Sequence, residues 1–123
     1  MKVLIVALDA VETSVVEAEV LVVAPALNSV LRRWVSDDDA ARRRAGSVAQ
    51  TLVEQLRRAG LDAEGRIGDA DPMLAIADAL PEFTADEIVV VGRPERSAEL
   101  VARARRRFAL PIRTTATALP LAA

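Results

Sequence analysis

Ala85-Asp86-Glu87-Ile88-Val89-Val90-Val91-Gly92-Arg93 sets a run of β-branched apolar residues between an aspartate and a glycine. A run that is apolar on both faces marks a strand buried inside a parallel sheet. Val3 to Leu8 and Val20 to Ala24 have the same character. A weaker segment, Asp62 to Ile67, alternates like an edge strand, and Ile112 to Ala116 supplies a fifth. After Gly92 comes Arg93-Pro94-Glu95-Arg96-Ser97 rather than a run of glycines. A phosphate cradle needs small residues there, so that backbone N–H groups can close on the anion with a helix amino end behind them. The fold is therefore easier to read than the ligand.

Between the strands lie Ala-rich stretches of helical period, the pattern of a parallel sheet with crossover helices. The longest is predicted over Asp38 to Ala59. Ala41, Ala45, Val48, Ala49, Leu52, Val53 and Leu56 form its buried stripe, and Gly60 follows as a left-handed terminator. The triplet Asp37-Asp38-Asp39 at its start reads as helix capping rather than a magnesium site, because successive helical residues point in different directions. A second helix opens at Gly68-Asp69-Ala70-Asp71-Pro72, with Asp71 placed to cap and Pro72 needing no N–H partner. Met73, Ile76, Ala77 and Leu80 are its expected inner face. The third is expected over Ser97 to Phe108, with Leu100, Val101, Ala104 and Phe108 inward and Ser97 as its cap.

One connection is unusually short. Only Asp9 to Glu19 separate the first two strands, close to the minimum for a crossover that returns a parallel strand. The expectation is a short helix near Val11 to Val16 that leaves Val3, Ile5 or Val22 for a partner subunit to cover. The alternative is an antiparallel hairpin, for which the turn signal is missing.

At 123 residues the chain is the size of one ordinary domain. Apolar residues make up 52% of it but aromatics 2%, so the core is built from Val, Leu, Ile and Ala. With 16 basic against 18 acidic residues there is no long-range field to draw in nucleic acid or an anionic membrane. Fifteen of the basic residues are arginine and 24 positions are alanine, which reads as biased residue usage in the source genome rather than a nucleic-acid surface. Cysteine and histidine are both absent. That removes disulfides, thiolate nucleophiles, imidazole bases and the usual zinc sites, and points to a cytoplasmic protein. Met1 to Leu8 is too short for a membrane span.

The ordered elements resemble the universal stress protein family over nearly the whole chain, most of all a divergent actinobacterial-type branch. The resemblance rests on Val3-Leu4-Ile5-Val6-Ala7-Leu8-Asp9, on Val20-Leu21-Val22-Val23-Ala24-Pro25, on the Gly68 to Pro72 helix entry with Ile76 beyond it, and above all on Ala85 to Arg93. It implies an α/β, three-layer, Rossmann-like fold of the adenine nucleotide alpha hydrolase type. The five-stranded parallel sheet would have order 3-2-1-4-5, with any ligand at the carboxyl ends of strands one and four. By the same resemblance Asp9 would contact the adenosine of a bound nucleotide, and Ala24 and Pro25 would line the adenine side. ATP-binding members carry G-x2-G-x9-G-S/T after strand four, and this chain keeps the first glycine alone. Glu95 stands at the second, and Ala98-Glu99 at the final pair. Both glutamates repel a triphosphate, so tight ATP binding is not expected.

A different anion site remains open, formed by Gly92, Arg93 and Arg96 with Ser97 offering a helix amino end. It would suit AMP, a cyclic nucleotide or a small carboxylate. Against it stands a solvated turn in which Arg93 or Arg96 pairs with Glu95 or Glu99. The segment from Pro25 to Ser36, with Asn28, Ser29 and Trp34, is either a lid or edge packing.

No nucleophile and base pair is visible, and no metal ligands are assigned. Asp9, Asp69 and Asp71 form the one acidic grouping that could serve a metal-dependent hydrolase. The leading expectation is a non-enzymatic domain working as a homodimer through the last strand, near Ile112 to Thr117, and through protein partners, with no ATP cofactor. A small-ligand sensor using Asp9, Arg93 and Arg96 is the alternative.

Overall fold

The computed structural model describes residues 1–10, 18–27 and 38–114. In chain order its elements are β1 (Lys2–Ala7), β2 (Glu19–Pro25), α1 (Asp38–Arg58), β3 (Asp62–Gly68), α2 (Pro72–Ala79), β4 (Glu87–Val91), α3 (Pro94–Arg107) and β5 (Ile112–Thr114). The five strands form one sheet of order β3-β2-β1-β4-β5, and every neighbouring pair is parallel. This is the expected α/β Rossmann-like arrangement. The sheet order reverses between β1 and β4, so their carboxyl ends are where a crevice opens.

Alternation along β1 divides the core in two. Val3, Ile5 and Ala7 join Val20, Val22 and Ala24 beneath α1, whose Ala41, Ala45, Ala49, Leu52, Val53 and Leu56 are all buried. Leu4, Val6 and Leu8 face the other way, against Met73 and Ile76 of α2 and Leu100, Val101 and Ala104 of α3. Each large aliphatic side chain withdrawn from water in this way contributes roughly 1.5–3 kcal/mol. The sheet is filled by branched aliphatics and the helices by alanines, which lets backbones approach closely without aromatic volume.

The end of α1 follows the expected rule. Gly60 adopts φ 87, its N–H donates to the Arg57 carbonyl at 3.0 Å, and the Leu61 N–H reaches back to Leu56 at 3.0 Å. This is the paired hydrogen bonding of a Schellman termination. Asp71 likewise caps α2, its carboxylate accepting the Met73 N–H at 3.0 Å with Pro72 in the first turn.

Val3, Ile5 and Val22 are each 0% exposed. No partner subunit is needed to cover them, because α1, at 21 residues about 30 Å long, packs on that face of the sheet. The inner face of α2 is also turned from the expected one. Ala75 and Ala79 are buried beside Met73 and Ile76, while Ala77 and Leu80 are half-buried. Gly68 accounts for this. A Cβ on it would lie 2.7 Å from Val23 Cγ1 and 2.8 Å from Ala75 Cβ, so its bareness lets Ala75 seat against the sheet. The short helix expected near Val11 to Val16, the segment holding Asn28, Ser29 and Trp34, and the chain beyond Thr114 lie outside the described residues. Among the described residues no helix is long and apolar enough to cross a membrane.

Candidate functional site

Both ends of β4 are fastened to β1, by Asp86 at the amino end and by the Val91 carbonyl at the carboxyl end. At the amino end the Asp86 carboxylate accepts the Lys2 N–H at 2.8 Å, and the Asp86 N–H donates to the Lys2 carbonyl at 2.7 Å. At the carboxyl end Leu8 N–H reaches the Val91 carbonyl at 2.8 Å, carrying the β1 chain over Gly92. A Cβ on Gly92 would stand 3.0 Å from Leu8 Cβ and 3.1 Å from Asp9 Oδ2. Here glycine makes room for a carboxylate of the protein itself.

That carboxylate sits at the amino end of α3. Asp9 Oδ2 accepts the Arg93 N–H at 3.0 Å, and Asp9 Oδ1 lies 3.6 Å from the Arg96 guanidinium. Arg93 is the N-cap residue but its own side chain makes no capping bond, so Asp9 caps the helix from across the sheet. The amino end of a helix carries partial positive charge, and a carboxylate hydrogen-bonded there is worth roughly 1.5–3 kcal/mol. The ion pair adds less, since the Arg96 side chain is 52% exposed and such pairs contribute about 0–1 kcal/mol.

Several expected site residues take other roles. Ser97 is not the helix cap. Pro94 begins α3 three residues earlier, its ring preset for the first turn, and Ser97 is 0% exposed with its hydroxyl donating to the Arg93 carbonyl at 2.9 Å. Arg93 contributes its backbone N–H, while its side chain is exposed and outside the cleft described below. Arg96 pairs with Asp9, not with Glu95 or Glu99. Ala24 is fully buried in the α1 core, so only its neighbour Pro25 reaches the cleft. Asp69 and Asp71 do not join Asp9. Asp69 accepts the Asp71 N–H at 2.9 Å and Asp71 caps α2, and the described residues hold no group of three acids placed for a metal.

A cleft of about 840 Å³ opens at the carboxyl end of the sheet. Its floor is Ala7 at the end of β1 with Leu8, Asp9 and Ala10 beyond it, and Pro25 at the end of β2 with Leu27 beyond it. One wall is the first half of α1, through Ala41, Arg44, Ala45 and Val48; the other is α3, through Glu95, Arg96, Glu99, Leu100 and Arg103. The volume is that of a small-molecule site, with apolar surface on the α1 side and a few polar groups facing it. Among the described residues three guanidinium groups and three carboxylates line it, so their charges balance. Arg44 and Arg103 were not expected from the sequence. Arg44 follows Ala41 by three residues and precedes Val48 by four, on the apolar stripe, and that position was its signal.

Comparison of the sequence with protein-family models and with curated proteins finds no match. Comparison with solved structures finds a universal stress protein family protein from Arabidopsis thaliana, crystallised with AMP bound, at a TM-score of 0.62 and 14% identity. The match covers 93% of this chain and 90% of that one. At such identity the likeness establishes the fold.

Proposed function

With the universal-stress fold as the premise, we propose that this chain is a non-enzymatic domain whose switch-point cleft takes a small adenine nucleotide of the AMP class, in preference to ATP. The cleft carries the reading: a cavity of about 840 Å³ lies at the carboxyl end of β1, on a fold whose solved counterpart held AMP. Leu8, Pro25, Leu27 and Val48 offer apolar surface for a base, and Asp9 offers an acceptor. Against a triphosphate stand Glu95 and Glu99, the absent glycine loop, and the amino end of α3 already capped by Asp9. No catalytic pair faces the cleft from the described residues.

Thermal-shift and calorimetric titrations with adenosine, AMP, cyclic AMP and ATP, with and without magnesium, test this. AMP should stabilise the protein at lower concentration than ATP. ATP binding tighter than AMP overturns the preference, and no shift with any of the four overturns the ligand reading.

A second reading is homodimerisation through β5. Ile112–Thr114 forms the last strand of the sheet, and its outer edge meets no further strand among the described residues. The end strand of a sheet is the position at which a second copy can add its own strand. Light scattering checks it, and a clean monomer at micromolar concentration would remove it.

A further inference from the structure

Three arginines among the described residues line the cleft, and they are not equivalent. Arg96 is engaged by Asp9, and the helix amino end beside it is filled by the same carboxylate. Glu95 and Glu99 add two more negative charges along the first turns of α3, so repulsion of an oxyanion accumulates on that side. Arg44 and Arg103 differ. They line opposite walls of the cleft, and neither has a carboxylate within ion-pair distance among the described residues. Arg44 makes one long contact, 3.4 Å, to the Leu27 carbonyl.

We propose that the cleft receives a dianionic phosphate group between Arg44 of α1 and Arg103 of α3, and not at the Gly92-Arg93 turn, where Asp9 already stands in for an anion. Two guanidinium groups on facing walls match a phosphate monoester, which carries about −1.5 to −2 charge at neutral pH and accepts several charge-assisted hydrogen bonds. The phosphate site is thus displaced from the strand-four loop to the two helix walls of the cleft. This concerns the same cleft as the proposed function but does not depend on the adenine reading.

The test uses inorganic phosphate on the intact chain at low ionic strength, followed by NMR of the arginine Nε–H groups and the backbone amides, with acetate as the singly charged control. Phosphate should shift the Nε–H signals of Arg44 and Arg103 saturably and leave the Arg93 amide in place. Arg44→Ala and Arg103→Ala should each weaken binding about tenfold or more. Both side chains are exposed, so these variants should fold, which circular dichroism checks. Asp9→Ala, which removes the acceptor from the Arg93 N–H, should let that amide respond as well. Wild-type shifts centred on residues 93–97, unchanged affinity in both arginine variants, acetate binding as tight as phosphate, or no saturable binding would each overturn the proposal. Phosphate binding without AMP binding would refute the nucleotide reading and leave this one standing. AMP binding that ignores both arginine substitutions would do the reverse.

Discussion

Asp9 and Arg93, 84 residues apart in the chain, meet at 3.0 Å, with the Asp9 carboxylate accepting the Arg93 backbone N–H. The bond ties the end of β1 to the start of α3 across the point where the sheet order reverses. Asp9→Ala removes this bond and should cost about 1.5–3 kcal/mol in urea unfolding, whereas Asp9→Asn retains an acceptor and should cost less.

Gly92 and Asp9 should couple. A methyl group at residue 92 would press on the Asp9 carboxylate, so Gly92→Ala should disturb the same contact that Asp9→Ala deletes. A double-mutant cycle should therefore be non-additive, the double variant losing less than the sum, by about 0.5 kcal/mol or more. Additive losses would show that Gly92 matters only to Leu8.

Three other glycines should separate cleanly under substitution by alanine. Gly68→Ala drives a Cβ into Val23 and Ala75 and should destabilise by about 1–3 kcal/mol. Gly60→Ala meets no atom within 4 Å but must hold φ +87, and should cost about 1 kcal/mol. Gly46→Ala, inside α1 with ordinary contact to Ile67 Cδ1 at 3.5 Å, should stabilise by about 0.5–1 kcal/mol. Chemical denaturation of the three variants gives the ranking directly.

Arg93→Ala should leave any AMP-induced thermal shift unchanged, because that side chain is outside the cleft and its backbone N–H survives the substitution. Loss of the shift in this variant would return the anion to the turn after β4.

Asp71→Ala should cost about 1 kcal/mol by releasing the Met73 N–H at the start of α2. Asp71 does not line the cleft, though Pro72 beside it does, so ligand affinity should change far less than in the Arg44 or Arg103 variants, which distinguishes capping from a direct role in binding.

The sheet, its parallel sense and its helices were legible because each is a local pattern. Strands apolar on both faces, a helical stripe from Ala41 to Leu56, Gly60 after it and Asp71-Pro72 before the next are all written within a turn or two of the residues they govern. The two misread helix details also have local causes. Pro94 opens α3 ahead of Ser97, and Gly68 rotates the buried face of α2 toward Ala75.

The site was legible in place but not in membership. The sequence by itself determined that a crevice would open beyond β1 and β4, since strand character and the order of elements leave little choice where a parallel sheet reverses. Only the tertiary structure decided which side chains meet there. Asp9 fills the amino end of α3, Arg96 is spent on it, and Arg44 and Arg103 come to face one cleft from helices far apart in the chain. Pairings of that kind depend on the distance between elements packed on opposite faces of the sheet, and no periodicity within either helix records that distance.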